Sequence, residues 1–159
     1  MIFLTVGTQF PFERLVKAVD DAAGKNLFGE EVFAQIGQSR YKPENIKAAA
    51  SLDKNDFDRH FRKASVIISH AGMGSITLAM EQAKPLLGMP RRGKYGEVVN
   101  DHQVAISVRY EKMGYLLVAF DPTDLPGKIN ELKVFTPKKR EIKLRPVLDR
   151  VREFINQLV

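Results

Sequence analysis

The sequence has 159 residues, which is enough for one domain with a hydrophobic core and too few for two domains of ordinary size. The absence of cysteine excludes disulfides and thiolate metal sites, and no apolar run approaches the roughly 18 residues that a membrane span needs. The formal net charge of +6 favours an anionic partner, but no stretch interleaves aromatic side chains with Lys and Arg as an RNA-binding surface would, so we expect no nucleic acid partner.

Predicted strands and helices alternate along the chain. Apolar runs predict short strands at residues 2–6, 31–37, 66–68, 85–89 and 115–119, and a further strand is one interpretation of residues 48–52. Apolar residues at helical spacing and capping residues predict helices over residues 11–24, 57–63, 76–82, 100–113 and 122–132. This alternation is typical of an α/β fold with a Rossmann-like parallel sheet and helices on both faces.

The first strand is followed by Gly7 and Thr8, whose N–H groups lie where a phosphate-binding loop would lie. Glycine after a first strand is common in any α/β fold, so a purely structural turn is an equal alternative. The helix that begins near Pro11 carries apolar residues along one face, and its polar residues, including Arg14 and Asp20, are expected to face water.

A glycine turn follows the central strand at residues 66–68. Gly72 and Gly74 allow a tight turn, and Ser75 is predicted to be the N-cap of the next helix. Free N–H groups and the positive end of a helix dipole favour an anion, most often phosphate. The turn lacks the third glycine of the dinucleotide fingerprint, and a mechanical turn is again the alternative. His70 and Ser75 place side-chain donors on both sides of the turn, which favours the phosphate interpretation.

The loop at residues 90–100 is rich in charge and is expected to lie over the ligand edge of the sheet. Four polar residues, Asn100, Asp101, His102 and Gln103, stand at the start of the following helix, which is more than capping requires. Asn100 or Asp101 could merely be the N-cap. His102 and Gln103 have no such role, so we predict that they bind the ligand.

Several kinds of enzyme do not fit the sequence. The glycine turn does not form the G-x-S-x-G elbow of a serine hydrolase, and no Walker lysine follows a glycine loop. The three histidines are not at metal-ligand spacing. A nucleotide or nucleotide-sugar site remains, in which a helix N-terminus would stabilise a departing nucleoside diphosphate without a metal.

Four segments, in this order, resemble the C-terminal domain of glycosyltransferase family 28: IFLTVGT at 2–8, SHAGMGS at 69–75, GMPRR at 88–92, and YGE at 95–97 followed by NDHQ at 100–103. The likeness is to the short, stand-alone members of this family. These are the soluble subunits of bacterial capsular and exopolysaccharide glycosyltransferases and the cytosolic subunit of the eukaryotic dolichol-linked UDP-N-acetylglucosamine transferase.

The resemblance implies the UDP-sugar-binding half of a GT-B enzyme, inverting and without a metal or other cofactor. It also implies a membrane-anchored partner subunit that binds a polyprenyl-diphosphate-linked acceptor in polysaccharide biosynthesis. The sugar transferred to this acceptor would be a hexose or N-acetylhexosamine. The catalytic base is expected in the missing half, so none is assigned. The competing hypothesis is a nucleotide-binding regulatory or scaffold module without turnover. Because the chain starts directly with a strand, we expect an unprocessed cytoplasmic protein, recruited to the inner face of the membrane by its partner.

The resemblance also implies roles for individual residues. The diphosphate is expected to contact the two glycine turns, at Gly7, Thr8, Gly72, Met73, Gly74 and Ser75. His102 and Gln103 are expected to contact the donor sugar, with His70 and Arg91 flanking them. In the related peptidoglycan transferase a glutamate binds the ribose, and Leu78 stands at its place in this sequence. Glu81, one turn later, is either a shifted ribose contact or an exposed helix residue. Val98 stands where close relatives often carry a histidine.

The last part of the chain is a basic segment at residues 133–146 followed by apolar residues at helical spacing over 147–158. We expect this C-terminal helix to dock on the core of a single domain that spans 1–159. The basic segment is interpreted either as a solvated charged face or as a surface for anionic lipid.

Overall fold

The computed structural model describes residues 1–139 and 145–157, and it contains one parallel sheet of six strands in the order β3-β2-β1-β4-β5-β6. The strands are β1 Ile2–Thr5, β2 Val32–Gln35, β3 Lys47–Ala49, β4 Val66–Ser69, β5 Leu86–Gly88 and β6 Leu117–Val118. In this register Thr5 lies beside Gln35 on one side and Ser69 on the other. The carboxyl ends of the central strands therefore meet at one edge.

Helices cover both faces of the sheet, as the sequence predicts. They are α1 Glu13–Gly24, α2 Lys54–Lys63, α3 Met73–Glu81, α4 His102–Lys112, α5 Leu125–Leu132 and α6 Arg145–Asn156, with short 3-10 turns at Gly93–Tyr95 and Pro122–Asp124. Successive residues of β1 point to opposite faces: Leu4 packs in the core under α1 and α5, and Phe3 packs with residues of α2 and α3. The prediction of a Rossmann-like sheet with helices on both faces is confirmed.

An aromatic cluster holds α2 against the sheet. The Phe3 ring meets the Phe57 ring edge-on at 5.4 Å between centroids, and His60 stacks on Phe33 at 4.1 Å. Such pairs stabilise a contact beyond the area that they bury. The cluster fixes the start of α2 beside the carboxyl edge of the sheet.

Two predicted helix starts are wrong by a few residues. The N-cap of α3 is Gly72 rather than Ser75, because Ala71 adopts a left-handed conformation with φ of +57° and completes the turn earlier. The N-cap of α2 is Asp53, whose carboxylate accepts a hydrogen bond from the Asp56 N–H at 2.8 Å. An N-cap side chain binds an N–H group two or three residues further on, so Asp53 fills that role, and α2 begins at Lys54 rather than at the predicted residue 57.

The water-facing side of α1 also differs from expectation. Asp20 is 1% exposed, and its carboxylate accepts hydrogen bonds from the Tyr41 hydroxyl and from the Glu44 and Asn45 N–H groups. Burial raises the pKa of Asp20, but these hydrogen bonds outweigh it and leave the pKa below its ordinary value. Asp20 thereby fastens the loop after β2 to α1.

The C-terminal helix forms close to its predicted bounds, but the described side chains of residues 149–157 are all exposed, including the apolar Val151, Phe154 and Ile155. These exposed side chains do not show the expected docking of the C-terminal helix on the core. Part of the basic segment, residues 140–144, lies outside the described residues, as do 158 and 159. Within the described ranges, no helix combines the length and the apolar character that crossing a membrane would require.

Candidate nucleotide-sugar site

A cavity of about 710 Å³ opens at the carboxyl edge of the sheet. Its walls come from the turns after β1 and β4, the end of β2, the start of α2, the residue Arg91 after β5, and Gln103 of α4. This is the position where ligands bind to open α/β sheets. The predicted site residues that line it are Gly7, Thr8, His70, Gly72, Met73, Gly74, Ser75, Arg91 and Gln103.

The turn between β4 and α3 presents unpaired backbone amides to this cavity. The first backbone hydrogen bond of α3 runs from the Ile76 N–H to the Gly72 carbonyl at 3.1 Å. The N–H groups of Met73, Gly74 and Ser75 precede it, and they find no acceptor in the described part of the chain. Free first-turn amides with the positive end of the helix dipole form an anion site.

The imidazole of His70 lies between the two glycine turns. A Cβ atom at Gly72 would stand 2.2 Å from His70 Nε2, and one at Gly7 would stand 3.0 Å from His70 Cε1. Gly7 also has a φ of +76°, which side chains rarely adopt. Both positions therefore require glycine. The Gly7 N–H is not free for a ligand, because it donates to Thr5 Oγ1 at 3.3 Å.

His70 contributes no charge to the site. Burial and the neighbouring positive charge of Arg91 lower the pKa of His70 to about 4. The imidazole is therefore neutral at pH 7, and its Nδ1 is buried without a hydrogen-bond partner in the described chain. A neutral ring can pack between two backbone turns at a smaller desolvation cost than a charged one.

Arg91 is the buried cation of the site. It is 3% exposed, its Nη2 donates to the carbonyls of Val6 at 2.8 Å and Phe10 at 2.7 Å, and its guanidinium lies 4.9 Å from the centre of the Phe12 ring. Burial lowers the pKa of Arg91 and Glu97 opposes this shift, but an arginine remains charged. No carboxylate of the described residues lies within ion-pair distance of Arg91, so its charge is available to an anionic ligand.

The start of α4 divides into residues that reach the cavity and residues that do not. Gln103 lines the cavity, and its Oε1 accepts a hydrogen bond from the Arg91 N–H at 3.1 Å. Asp101 instead accepts from the Gly93 N–H at 2.7 Å, and Asn100 accepts from the His102 N–H at 3.2 Å. Asn100, Asp101 and His102 are exposed and do not line the cavity, so Gln103 is the one of these four residues that does.

Glu81 does not reach the cavity either. It is the last residue of α3 and is exposed, whereas Leu78 lines the cavity wall. Each helical residue adds 1.5 Å along the axis, so position 81 lies further from the N-terminal end that faces the ligand. The structure favours the interpretation of Glu81 as an exposed helix residue.

Sequence reasoning missed several cavity residues: Gln35, Leu52, Lys54 and Phe57. Gln35 carried a usable signal, because it is a polar residue near the carboxyl end of the predicted strand at 31–37, and the observed strand β2 ends at it. Leu52 and Phe57 come from the loop and helix after β3, where the sequence pattern is irregular. Among the described residues, no group of three or more His, Asp or Glu side chains is placed to hold a metal ion.

The chain resembles known proteins in sequence and in structure. It is 31% identical over 124 residues to the Homo sapiens protein named UDP-N-acetylglucosamine transferase subunit ALG13, covering 72% of this chain and 10% of the human protein. The NMR solution structure of ALG13 matches with a TM-score of 0.62 at 18% identity, over 94% of this chain and 93% of that chain. The chain therefore spans about a tenth of the human relative's length but nearly all of the ALG13 solution structure.

The crystal structure of the glycotransferase of kitacinnamycin matches with a TM-score of 0.61 at 16% identity, over 84% of this chain and 34% of that chain. At these identities the likeness shows the fold alone, a Rossmann-like parallel sheet that this chain shares with glycosyltransferases of the GT-B type. Residues 1–158 match the family described as the glycosyltransferase family 28 C-terminal domain, and the chain belongs to that family.

Proposed function

We propose that this chain is the UDP-sugar-binding subunit of a two-component inverting glycosyltransferase. The observation that carries the proposal is the pairing, in one cavity, of the free amides of Met73, Gly74 and Ser75 with the buried charge of Arg91. Membership of the family and the name of the human relative, a UDP-N-acetylglucosamine transferase subunit, support this assignment.

The proposed chemistry breaks the bond between the anomeric carbon of the sugar and the diphosphate, so negative charge develops on the departing UDP. Backbone N–H groups and a fixed guanidinium stabilise such charge without reorganising. We propose that they do so here without a metal or other cofactor. Gln103, held by the Arg91 N–H, would bind a hydroxyl of the donor sugar.

The acceptor hydroxyl must lose a proton as it attacks the anomeric carbon. His70 is a weak base for this step, because its pKa is lowered to about 4. We therefore place the general base in a partner subunit. In this proposal the partner is membrane-anchored and brings a polyprenyl-diphosphate-linked acceptor for a hexose or N-acetylhexosamine in polysaccharide biosynthesis, and it recruits this chain from the cytoplasm to the inner face of the membrane.

Reconstitution tests the proposal. We expect the chain alone to bind UDP in calorimetry and to transfer no sugar, and we expect transfer from a UDP-sugar to a polyprenyl-diphosphate acceptor once the membrane partner is added. UDP binding without transfer for every plausible partner and donor would favour a regulatory or scaffold module. Absence of UDP binding would contradict both functions.

A further inference from the structure

Gln35 is a buried polar residue at the end of β2, and it forms part of the cavity surface. It is 3% exposed and lies beside Thr5 in the parallel register. The Thr5 hydroxyl oxygen stands 2.8 Å from Gln35 Oε1 and also accepts the Gly7 N–H at 3.3 Å.

This arrangement fixes the orientation of the Gln35 amide. Thr5 is itself only 1% exposed, so its hydroxyl hydrogen needs an acceptor, and Gln35 Oε1 supplies one. If the amide were flipped, the buried hydroxyl hydrogen would face an NH₂ group and would lack a partner. The amide oxygen therefore faces Thr5 and the NH₂ group faces away from it.

The NH₂ group of Gln35 is available to a ligand. Its nitrogen donates no hydrogen bond within the described residues. Four side-chain atoms of those residues are fully buried and lack a hydrogen-bond partner: Ser39 Oγ, His60 Nδ1, His70 Nδ1 and Arg91 Nε. Gln35 Nε2 lacks a partner but is not one of these four, so it is not fully buried. A fixed donor on the cavity surface suits an acceptor atom of a bound molecule.

The position of Gln35 indicates which part of the ligand it meets. The anion-binding amides follow the central strand β4, and Gln103 and the backbone of Arg91 lie on the β5 side, from which the Arg91 guanidinium reaches back to the Val6 and Phe10 carbonyls after β1. Gln35 lies on the opposite side of β1, where the cavity is lined by the apolar Leu52 and Phe57 and by Lys54 at the start of α2. Apolar walls beside a fixed amide donor suit a flat base, whereas the polar β5 side suits sugar hydroxyls.

We propose that Gln35 Nε2 donates a hydrogen bond to the 4-carbonyl oxygen of a uracil base, so that Gln35 selects uracil over cytosine. This inference rests on the proposed function, since it takes the ligand to be a nucleoside diphosphate. Cytosine carries a 4-amino group at that point, and two donors would then face each other. A site built around one donor rejects an analogue that lacks the matching acceptor.

Calorimetry with the full chain tests this assignment with UDP and CDP, which differ in that group and in the proton on the neighbouring N3, so the Gln35 variants rather than the wild-type ratio alone decide it. We expect the wild type to prefer UDP by about tenfold or more. Gln35→Met removes the donor and should reduce UDP affinity about tenfold with little effect on CDP. Gln35→Glu supplies an acceptor and should shift the ratio toward CDP, whereas Gln38→Glu adds the same charge at an exposed position and should leave the ratio unchanged.

Equal losses for UDP and CDP in Gln35→Met would overturn the assignment and would place Gln35 against the ribose or in the fold alone. If the Gln35 variants do not fold, Thr5→Val and Thr5→Ser decide the question. Thr5→Val removes the hydroxyl that orients the amide and should lower the UDP preference, and Thr5→Ser should keep it. Normal UDP binding with the same ratio in all variants would overturn this inference alone. Failure of the wild type to bind either nucleotide would overturn the proposed function as well.

Discussion

Arg14 and Glu97 form a two-pronged ion pair, with Nε 2.8 Å from Oε1 and Nη2 2.9 Å from Oε2. Both side chains are nearly buried, at 13% and 12% exposed. Arg14 also donates to the Pro90 carbonyl, and Glu97 accepts from the Arg92 N–H. The pair therefore fastens both sides of Arg91 to α1, and it links the helix after the first glycine turn to the loop that carries the buried cation.

Replacing Arg14 with methionine should destabilise the protein by about 2 kcal/mol, because it leaves the Glu97 carboxylate poorly solvated and unpaired. Urea unfolding measures this loss. Arg59→Met, which breaks the exposed pair with Asp56, is the control and should cost less than about 0.5 kcal/mol. Equal losses in the two variants would show that the Arg14 pair has no special structural role.

Gly72→Ala should abolish measurable UDP binding, because the added Cβ would stand 2.2 Å from His70 Nε2 and would displace either the ring or the amide turn. Gly127→Ala is the matched control, since a Cβ there meets nothing within 4 Å. Alanine in that helix should raise stability by roughly 0.5–1 kcal/mol and leave binding unchanged. Wild-type affinity in Gly72→Ala would contradict the described geometry of the turn.

Stability should fall with acidification between pH 7 and pH 4.5. The pKa of His70 is about 4 in the folded protein, below its ordinary value of 6.5, so the unfolded chain takes up more protons in this range. The stabilisation is complete above pH 6.5 and is lost as the pH falls toward 4. The loss should be roughly 2 kcal/mol at pH 4.5.

Urea unfolding at both pH values measures this slope. His70→Asn should flatten it by most of that amount, and His102→Asn, at an exposed position, should keep it. Asp20 also has a lowered pKa, so its protonation should destabilise the folded protein as well, but mainly at a pH below this range. An unchanged slope in His70→Asn would assign the acid sensitivity to other groups.

Phe154→Ala should leave the midpoint of thermal unfolding nearly unchanged, because Phe154 is 62% exposed on α6. Phe61→Ala, on α2, removes a fully buried ring and should cost about 3–5 kcal/mol. Comparable losses from the two substitutions would mean that α6 packs on the domain in solution.

The sequence was a good guide where local chemistry determines the structure. The central strands, the glycine turns and the position of His70 follow from apolar runs and from residues that permit tight turns, whereas the place of Arg91 at the site was implied by the family resemblance. Ser75 shows the limit of this reasoning. A serine before an apolar run predicts an N-cap, but the left-handed turn at Ala71 moves the helix start to Met73, and that conformation depends on packing.

Other parts of the site depend on tertiary contacts that no local pattern contains. Leu52 and Phe57 reach the cavity because α2 is held by an aromatic cluster assembled from separate segments. The helical pattern predicts that Arg14 faces water, but in the structure its side chain is covered by the loop that carries Glu97. His102 and Gln103 are neighbours with similar polar character, and only the hydrogen bond to the Arg91 N–H distinguishes the residue that turns inward.

In the proposed site the two glutamines that would bind the base and the sugar, Gln35 and Gln103, are neutral, whereas the free amides and Arg91 would attract the diphosphate electrostatically. Ionic screening weakens attraction between charges far more than it weakens short hydrogen bonds between neutral groups. Rising salt should therefore lower the affinity for every nucleoside diphosphate by a similar factor, while the order of preference among bases and sugars stays the same. How tightly this protein holds its ligand and which ligand it prefers would then be separately adjustable properties.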